Sequence, residues 1–254
     1  KSALITLVVT LAIAMGIFQL PVTAAAGSIL FGFLSALWPI AWIVLMAVWL
    51  YRITVRSGKF AIVRASVSSV SQDQRIQVLL IAFCFGGFLE GAAGFGIPIA
   101  ICAALLVSLG FNPLKAAMLS LVANATVGAY GAVGIPVTTG ADIGSVHLDD
   151  LTFQMILVLQ IFAALVPVLV VVIQDGLRGI REVGPLALAT GLVISGMQSL
   201  MLWVLKAPEL IGIIPPLVGL IFMVLVLQKW QLKNIYREET APSLEELAAM
   251  KEER

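Results

Sequence analysis

Glu90 is a carboxyl group placed where charge is costly. It stands within Phe88-Leu-Glu-Gly-Ala-Ala-Gly-Phe-Gly-Ile-Pro98, with no charged residue from Ile76 to Leu89 or from Gly91 to Leu114. An ionisable side chain kept in so apolar a setting commonly marks an ion path or a proton relay. The residues after it, Gly91-Ala-Ala-Gly94-Phe-Gly96-Ile-Pro98, are echoed by Gly128-Ala-Tyr-Gly131-Ala-Val-Gly134-Ile-Pro136. Glycine and proline at this density interrupt a helix, and Pro98 and Pro136 suit the first turn of the helix that follows. A half-helix N-terminus offers unpaired amides and positive partial charge, a way to hold an anion without Arg or Lys. Gly91, Gly94, Gly96, Gly131 and Gly134 are therefore candidate binding positions through their backbone. Asn124, Thr126 and Tyr130, with Thr138 and Thr139 beyond them, add hydrogen-bonding side chains around the second break. Each has a plainer alternative: glycines permit close packing and polar side chains bond between helices, while Glu90 suits capping amides at a hairpin tip. Gly-x-x-Gly-x-Gly at 91–96 is not the dinucleotide fingerprint, which has another order and follows a strand.

The elements that hold these residues follow from composition. Of 254 residues, 61% are hydrophobic and 11% charged, with mean hydropathy +1.09, far from the roughly 45–50% and 25% of soluble domains. The expectation is an all-α polytopic membrane protein, because the charge-free runs reach the roughly 20 residues that cross a bilayer and lack the alternation of a barrel strand. A net charge of +1 gives no surface for nucleic acid. Cys84 and Cys102 lie in apolar runs and read as buried hydrophobes. His147 is the sole histidine, so no metal site or cofactor is expected, and Glu90 alone is too little for an integral membrane enzyme.

Lys and Arg collect at 52–75, at 178–181 and from Lys229 onward, which the positive-inside rule places in the cytoplasm. The reading is a transmembrane region over 1–236 and a cytosolic tail over 237–254. Spans are expected at 3–20 and 22–51, the latter bent at Trp38-Pro39. A re-entrant hairpin is expected at 75–110, with arms of about 13–15 residues, too short to cross alone; three complete crossings would satisfy the same parity, so arm length alone favours the hairpin. A broken span is expected at 113–139, then spans at 151–174, 185–205 and 208–229. Residues 57–72 read as an interfacial amphipathic helix, and Ser243-Leu-Glu-Glu246 as a capping box opening a short helix.

The stretch Phe88–Pro98, together with Gly110-Phe-Asn-Pro-Leu-Lys-Ala-Ala117, Gly131-Ala-Val-Gly-Ile-Pro136, Asp175-Gly-Leu-Arg-Gly179, Leu37-Trp-Pro-Ile-Ala-Trp42 and Asp73-Gln-Arg75, resembles the lactate permease family. The resemblance covers nearly the whole chain. It implies a bacterial inner-membrane, multi-pass symporter that imports L-lactate, D-lactate or glycolate with protons. The implied partners are that anion, the proton, the bilayer and a second half, since family members are about twice this length; oligomeric state is left open. The family often has Asn-Thr-Ala-Pro-Val-Ala-Phe-Gly where this chain has Asn124-Ala-Thr-Val-Gly-Ala-Tyr-Gly131, losing a proline and gaining a hydroxyl at Tyr130. The rival readings are a sodium-coupled transporter of another organic anion and a non-transporting membrane subunit. Sodium dependence separates the first, and a structural subunit needs neither Glu90 nor doubled breaks.

Overall fold

Apolar runs this long leave their backbone groups only each other to bond, and the described residues are accordingly helical, with no strand among them. The computed structural model describes residues 2–42, 45, 46, 49, 52, 53, 56–58, 70–94, 96–230 and 234–238. Most of the expected interfacial helix and the whole 243–246 capping box lie outside them. Two units are distinguished, Lys1–Leu50 and Tyr51–Arg254.

The first unit contains α1 (Ser2–Gly16) and α2 (Val22–Ser35), which continues as a π turn over Ala36–Ala41. Its backbone leaves helical geometry at Trp38 (φ −140°, ψ 116°), immediately before Pro39. That is the expected bend: proline disfavours helical geometry in the residue before it. Phe18, Phe31 and Trp38 of this unit are among its exposed large side chains.

The second unit contains α3 (Gln74–Ala93), which widens to a π turn over Leu79–Phe85. It continues through α4 (Ile97–Ser108), α5 (Pro113–Gly128), α6 (Ile135–Gly144), α7 (Leu148–Glu182), α8 (Gly184–Val204) and α9 (Ile214–Lys229). Helix α3, the joined α5 and α6, α7 and α8 are each long and apolar enough to cross a membrane. Asp73 caps α3 by accepting the Arg75 amide at 2.8 Å. Asn112 caps α5 in the same way, with Pro113 behind it. Cys84 and Cys102 are free and buried, as expected.

Two of the differences from the expected boundaries bear on the site. The first hairpin arm has 20 residues, about 30 Å of helix, so arm length does not by itself turn the chain back. The turn comes from packing: α4 returns along α3, with the Cys102 thiol donating to the Ile81 carbonyl at 3.3 Å. Helix α9 begins at Ile214 rather than near 208, because Pro208–Leu210 forms a 3-10 turn and Ile211 and Gly212 are drawn into the interior.

The two roots of the hairpin meet at one end of the unit. Arg75 is 2% exposed. It donates to both Asp73 oxygens at 3.1 and 2.7 Å, to Asp175 at 2.8 Å, to Glu182 at 2.9 Å and to the Asn234 carbonyl at 3.0 Å. Residues 234–238 lie across this end as a strap. The Tyr236 carbonyl accepts from the Gln74 amide at 3.0 Å, and the Glu238 carboxylate pairs with Lys115 at 2.7 Å and accepts from the Asn112 amide at 3.2 Å. Burial raises the Tyr236 phenol above its ordinary range, so it stays a neutral donor to the Gln174 carbonyl at 3.1 Å. Gly176, at φ 66°, interrupts α7 just after Asp175, which lets both Asp175 and Glu182 reach Arg75. Toward the other end, Lys206 pairs with Asp149 at 2.6 Å, an exposed contact of little energetic weight.

Candidate functional site at the glycine breaks

Both breaks take the same pair of backbone conformations. Gly94 (φ 65°, ψ −161°) and Gly96 (φ 70°, ψ 7°) separate α3 from α4. Gly131 (φ 60°, ψ −163°) and Gly134 (φ 67°, ψ 10°) separate α5 from α6. A side chain with a Cβ is strained in each, so the glycines are required by geometry. In both, Ile-Pro opens the next helix, as the spacing predicts.

The breaks are packed together and are covered by a third irregular segment. A Cβ on Gly94 would lie 2.7 Å from the Ala132 Cβ. A Cβ on Gly91 would overlap the Gly212 backbone, and one on Gly134 would overlap the Pro208 carbonyl. Gly91, Gly94 and Gly134 therefore serve close packing as well as chain direction. Gly96 differs, since a Cβ there meets only the Ile99 side chain at 3.5 Å. It leaves the first amides of α4 beside the break.

Glu90 is 4% exposed, in the last turn of α3. Its main-chain carbonyl accepts the Gly94 amide at 2.8 Å. The polar neighbours of its carboxyl group are the Gly96 amide and the Asn124 side chain. Its Oε2 and the Asn124 Oδ1 are buried without hydrogen-bond partners. The site thus joins a carboxyl group, a carboxamide, two oxygens able to accept further hydrogen bonds and the N-terminal end of a helix. That combination can hold a proton and an anion close together.

The remaining predicted residues divide. Gly131 is buried and shapes the second break, where a Cβ would lie 2.6 Å from Pro136. Thr126 donates to the Ala123 carbonyl at 3.0 Å within its own helix. Tyr130 is 0% exposed and packs with Val137, Met201, Leu202 and Ile211, its phenol oxygen accepting from Gln160 at 2.7 Å. These contacts give Thr126 and Tyr130 local structural roles. Tyr130→Phe is expected to leave the Gln160 amide without its partner and to lower stability by about 1–2 kcal/mol, read as a fall in the thermal midpoint in detergent. Among the described residues no group of three His, Cys, Asp or Glu is placed to hold a metal ion. Sequence reasoning missed the Pro208–Gly212 segment. Its signal was Gly212-Ile-Ile-Pro215, nearly the wording of the other two breaks.

A bundle of membrane-length helices with a hairpin and a broken helix meeting at paired glycine breaks defines a polytopic α-helical membrane protein. Residues 1–252 match the family model described as L-lactate permease. The chain is 49% identical over 240 residues to the L-lactate permease of Halalkalibacterium halodurans, covering 93% of this chain and 45% of that protein. It is 42% identical over 243 residues to a glycolate permease of Escherichia coli strain K12, covering 94% of this chain and 42% of the relative. Identity to the L-lactate permease of Bacillus subtilis is 40% over 251 residues, or 96% of this chain and 44% of that one. The chain belongs to the lactate permease family, a family of bacterial multi-pass membrane permeases rather than enzymes. It spans less than half the length of these relatives. No solved structure matches it.

Proposed function

We propose that this chain contributes the carboxylate and proton site of a permease that carries lactate, glycolate or a related 2-hydroxymonocarboxylate together with protons. The observation that carries the reading is Glu90, buried beside the α4 N-terminus and Asn124. The anion docks on amides at the breaks, where helix ends supply positive partial charge, and Glu90 carries the coupled proton. Relatives named for lactate and for glycolate support the substrate class. By the positive-inside rule the Arg75 end of the unit faces the cytoplasm, and α3 and α4 are read as a hairpin rooted on that side.

The test is uptake of labelled lactate and glycolate by membrane vesicles carrying the full-length protein under an imposed inward proton gradient. Accumulation is expected, and Glu90→Gln should reduce it to the level of empty vesicles while leaving substrate exchange across the membrane. Failure of the wild type to accumulate either acid sinks the reading. Accumulation that requires sodium instead transfers the coupling to that ion.

A further inference from the structure

The Glu90 carboxyl group and the Asn124 carboxamide come from two different helices, α3 and α5, and lie side by side. Each carries one buried oxygen without a hydrogen-bond partner, Oε2 of Glu90 and Oδ1 of Asn124. When Glu90 is ionised both atoms are pure acceptors, so neither satisfies the other. A single proton on Oε2 removes both deficits. In that form the acid O–H would donate to Oδ1 of Asn124, and the amide N–H of Asn124 would donate to Oε1 of Glu90.

We propose that Asn124 is the positioning residue for a proton held by Glu90, closing a two-point acid–amide pair that ties α3 to α5 while the proton is bound and parts when it leaves. This rests on the reading of Glu90 as the proton carrier. Only an O–H bond forms and breaks, and water at the membrane surfaces supplies and takes up the proton. Among the described residues no ion pair to the Glu90 carboxyl group is formed. The final turns of α3 pack against α4, α5, α9 and the 132–134 turn. The titratable groups of those elements are Cys102, Lys115 and Lys229. Lys115 is engaged at the far end with Glu238, Lys229 ends α9 well beyond the Pro216 that meets Gly87, and Cys102 bonds Ile81. On α3 itself, Cys84 faces Met223. Glu209, beside the covering Pro208, is exposed. The amide is thus the side chain that meets the carboxyl group, and its bond changes sense with protonation.

The experiment is infrared spectroscopy of the full-length protein across a pH titration, alongside the vesicle assay. The band of the protonated Glu90 carboxyl is identified by its absence from Glu90→Gln. Asn124→Leu is expected to move that band in frequency and to displace the pH profile of uptake by about one unit, a tenfold change in proton affinity. Where Asn124→Leu does not accumulate in the membrane, Asn124→Ser serves, since one hydroxyl cannot span both carboxyl oxygens. A Glu90 band unmoved by either variant overturns the pairing, and if Glu90→Gln still abolishes accumulation the transport reading stands without it. Proton-driven accumulation that survives Glu90→Gln overturns both.

Discussion

Arg75→Met is expected to lower the stability of the protein by about 3–5 kcal/mol, the usual cost of removing one partner from a buried ion pair. The guanidinium is 2% exposed and Asp73 1%, so deleting the cation leaves an anion that water cannot reach. Asp73 also caps α3 and accepts the Tyr236 amide at 2.9 Å, which makes rearrangement costly. Asp175 loses its 2.8 Å partner as well. Glu182 is more exposed and adds little. The damage reaches beyond one pair, because Arg75 joins the hairpin root to α7 and to the strap at Asn234. Thermal unfolding in detergent should show the loss, accompanied by less protein in the membrane fraction. Arg75→Lys should recover only part of it, since an ammonium cannot reproduce the planar fork that serves several carboxylates at once. A midpoint unchanged in Arg75→Met would show that the network does not hold the hairpin.

Gly91→Ala should be nearly as damaging. Its new methyl group would occupy the space of the Gly212 backbone, and a backbone segment, unlike a side-chain tip, has no rotamer by which to withdraw. Overpacking against main chain lies at the upper end of the usual range, about 3 kcal/mol. The hairpin tip and the segment covering it must separate, and uptake should fall with stability. Gly128→Ala is the control. Its Cβ would meet only the Asn124 amide nitrogen at 3.5 Å, an ordinary contact, so both stability and uptake should stay close to wild type. Equal effects from the two substitutions would remove the Gly91–Gly212 contact from the account.

Much of this architecture is legible in the residue order because its causes are local. Gly94, Gly96, Gly131 and Gly134 break their helices through conformations that only glycine adopts without strain, and each Ile-Pro restarts a helix by its own geometry. Trp38-Pro39 bends α2 for the same kind of reason. The end of the last helix-connecting segment was harder to read. Lys206–Glu209 looks like a simple outer turn, yet Ile211 and Gly212 are buried, because the packing surface that accepts them belongs to Gly91 and Gly134. Tyr130 reads equally well as a ligand-facing hydroxyl or as a hydrogen bond between helices, and it is found bonded to Gln160 of α7 at 2.7 Å among Met201, Leu202 and Ile211, neighbours distant in the chain.

The sequence by itself determined that this chain belongs in a bilayer, where its helices are interrupted, and that Glu90 stands apart from every other charge. Hydropathy and backbone preference are properties of short stretches, so they survive without knowledge of the fold. Only the tertiary structure decided that the two breaks dock on each other, that Pro208–Gly212 covers them, that Asn124 rather than Tyr130 meets Glu90, and that Arg75 gathers Asp73, Asp175 and Glu182. Several of those contacts join residues a hundred or more positions apart, and their partners are chosen by steric fit and by the need of each buried charge for a counter-charge.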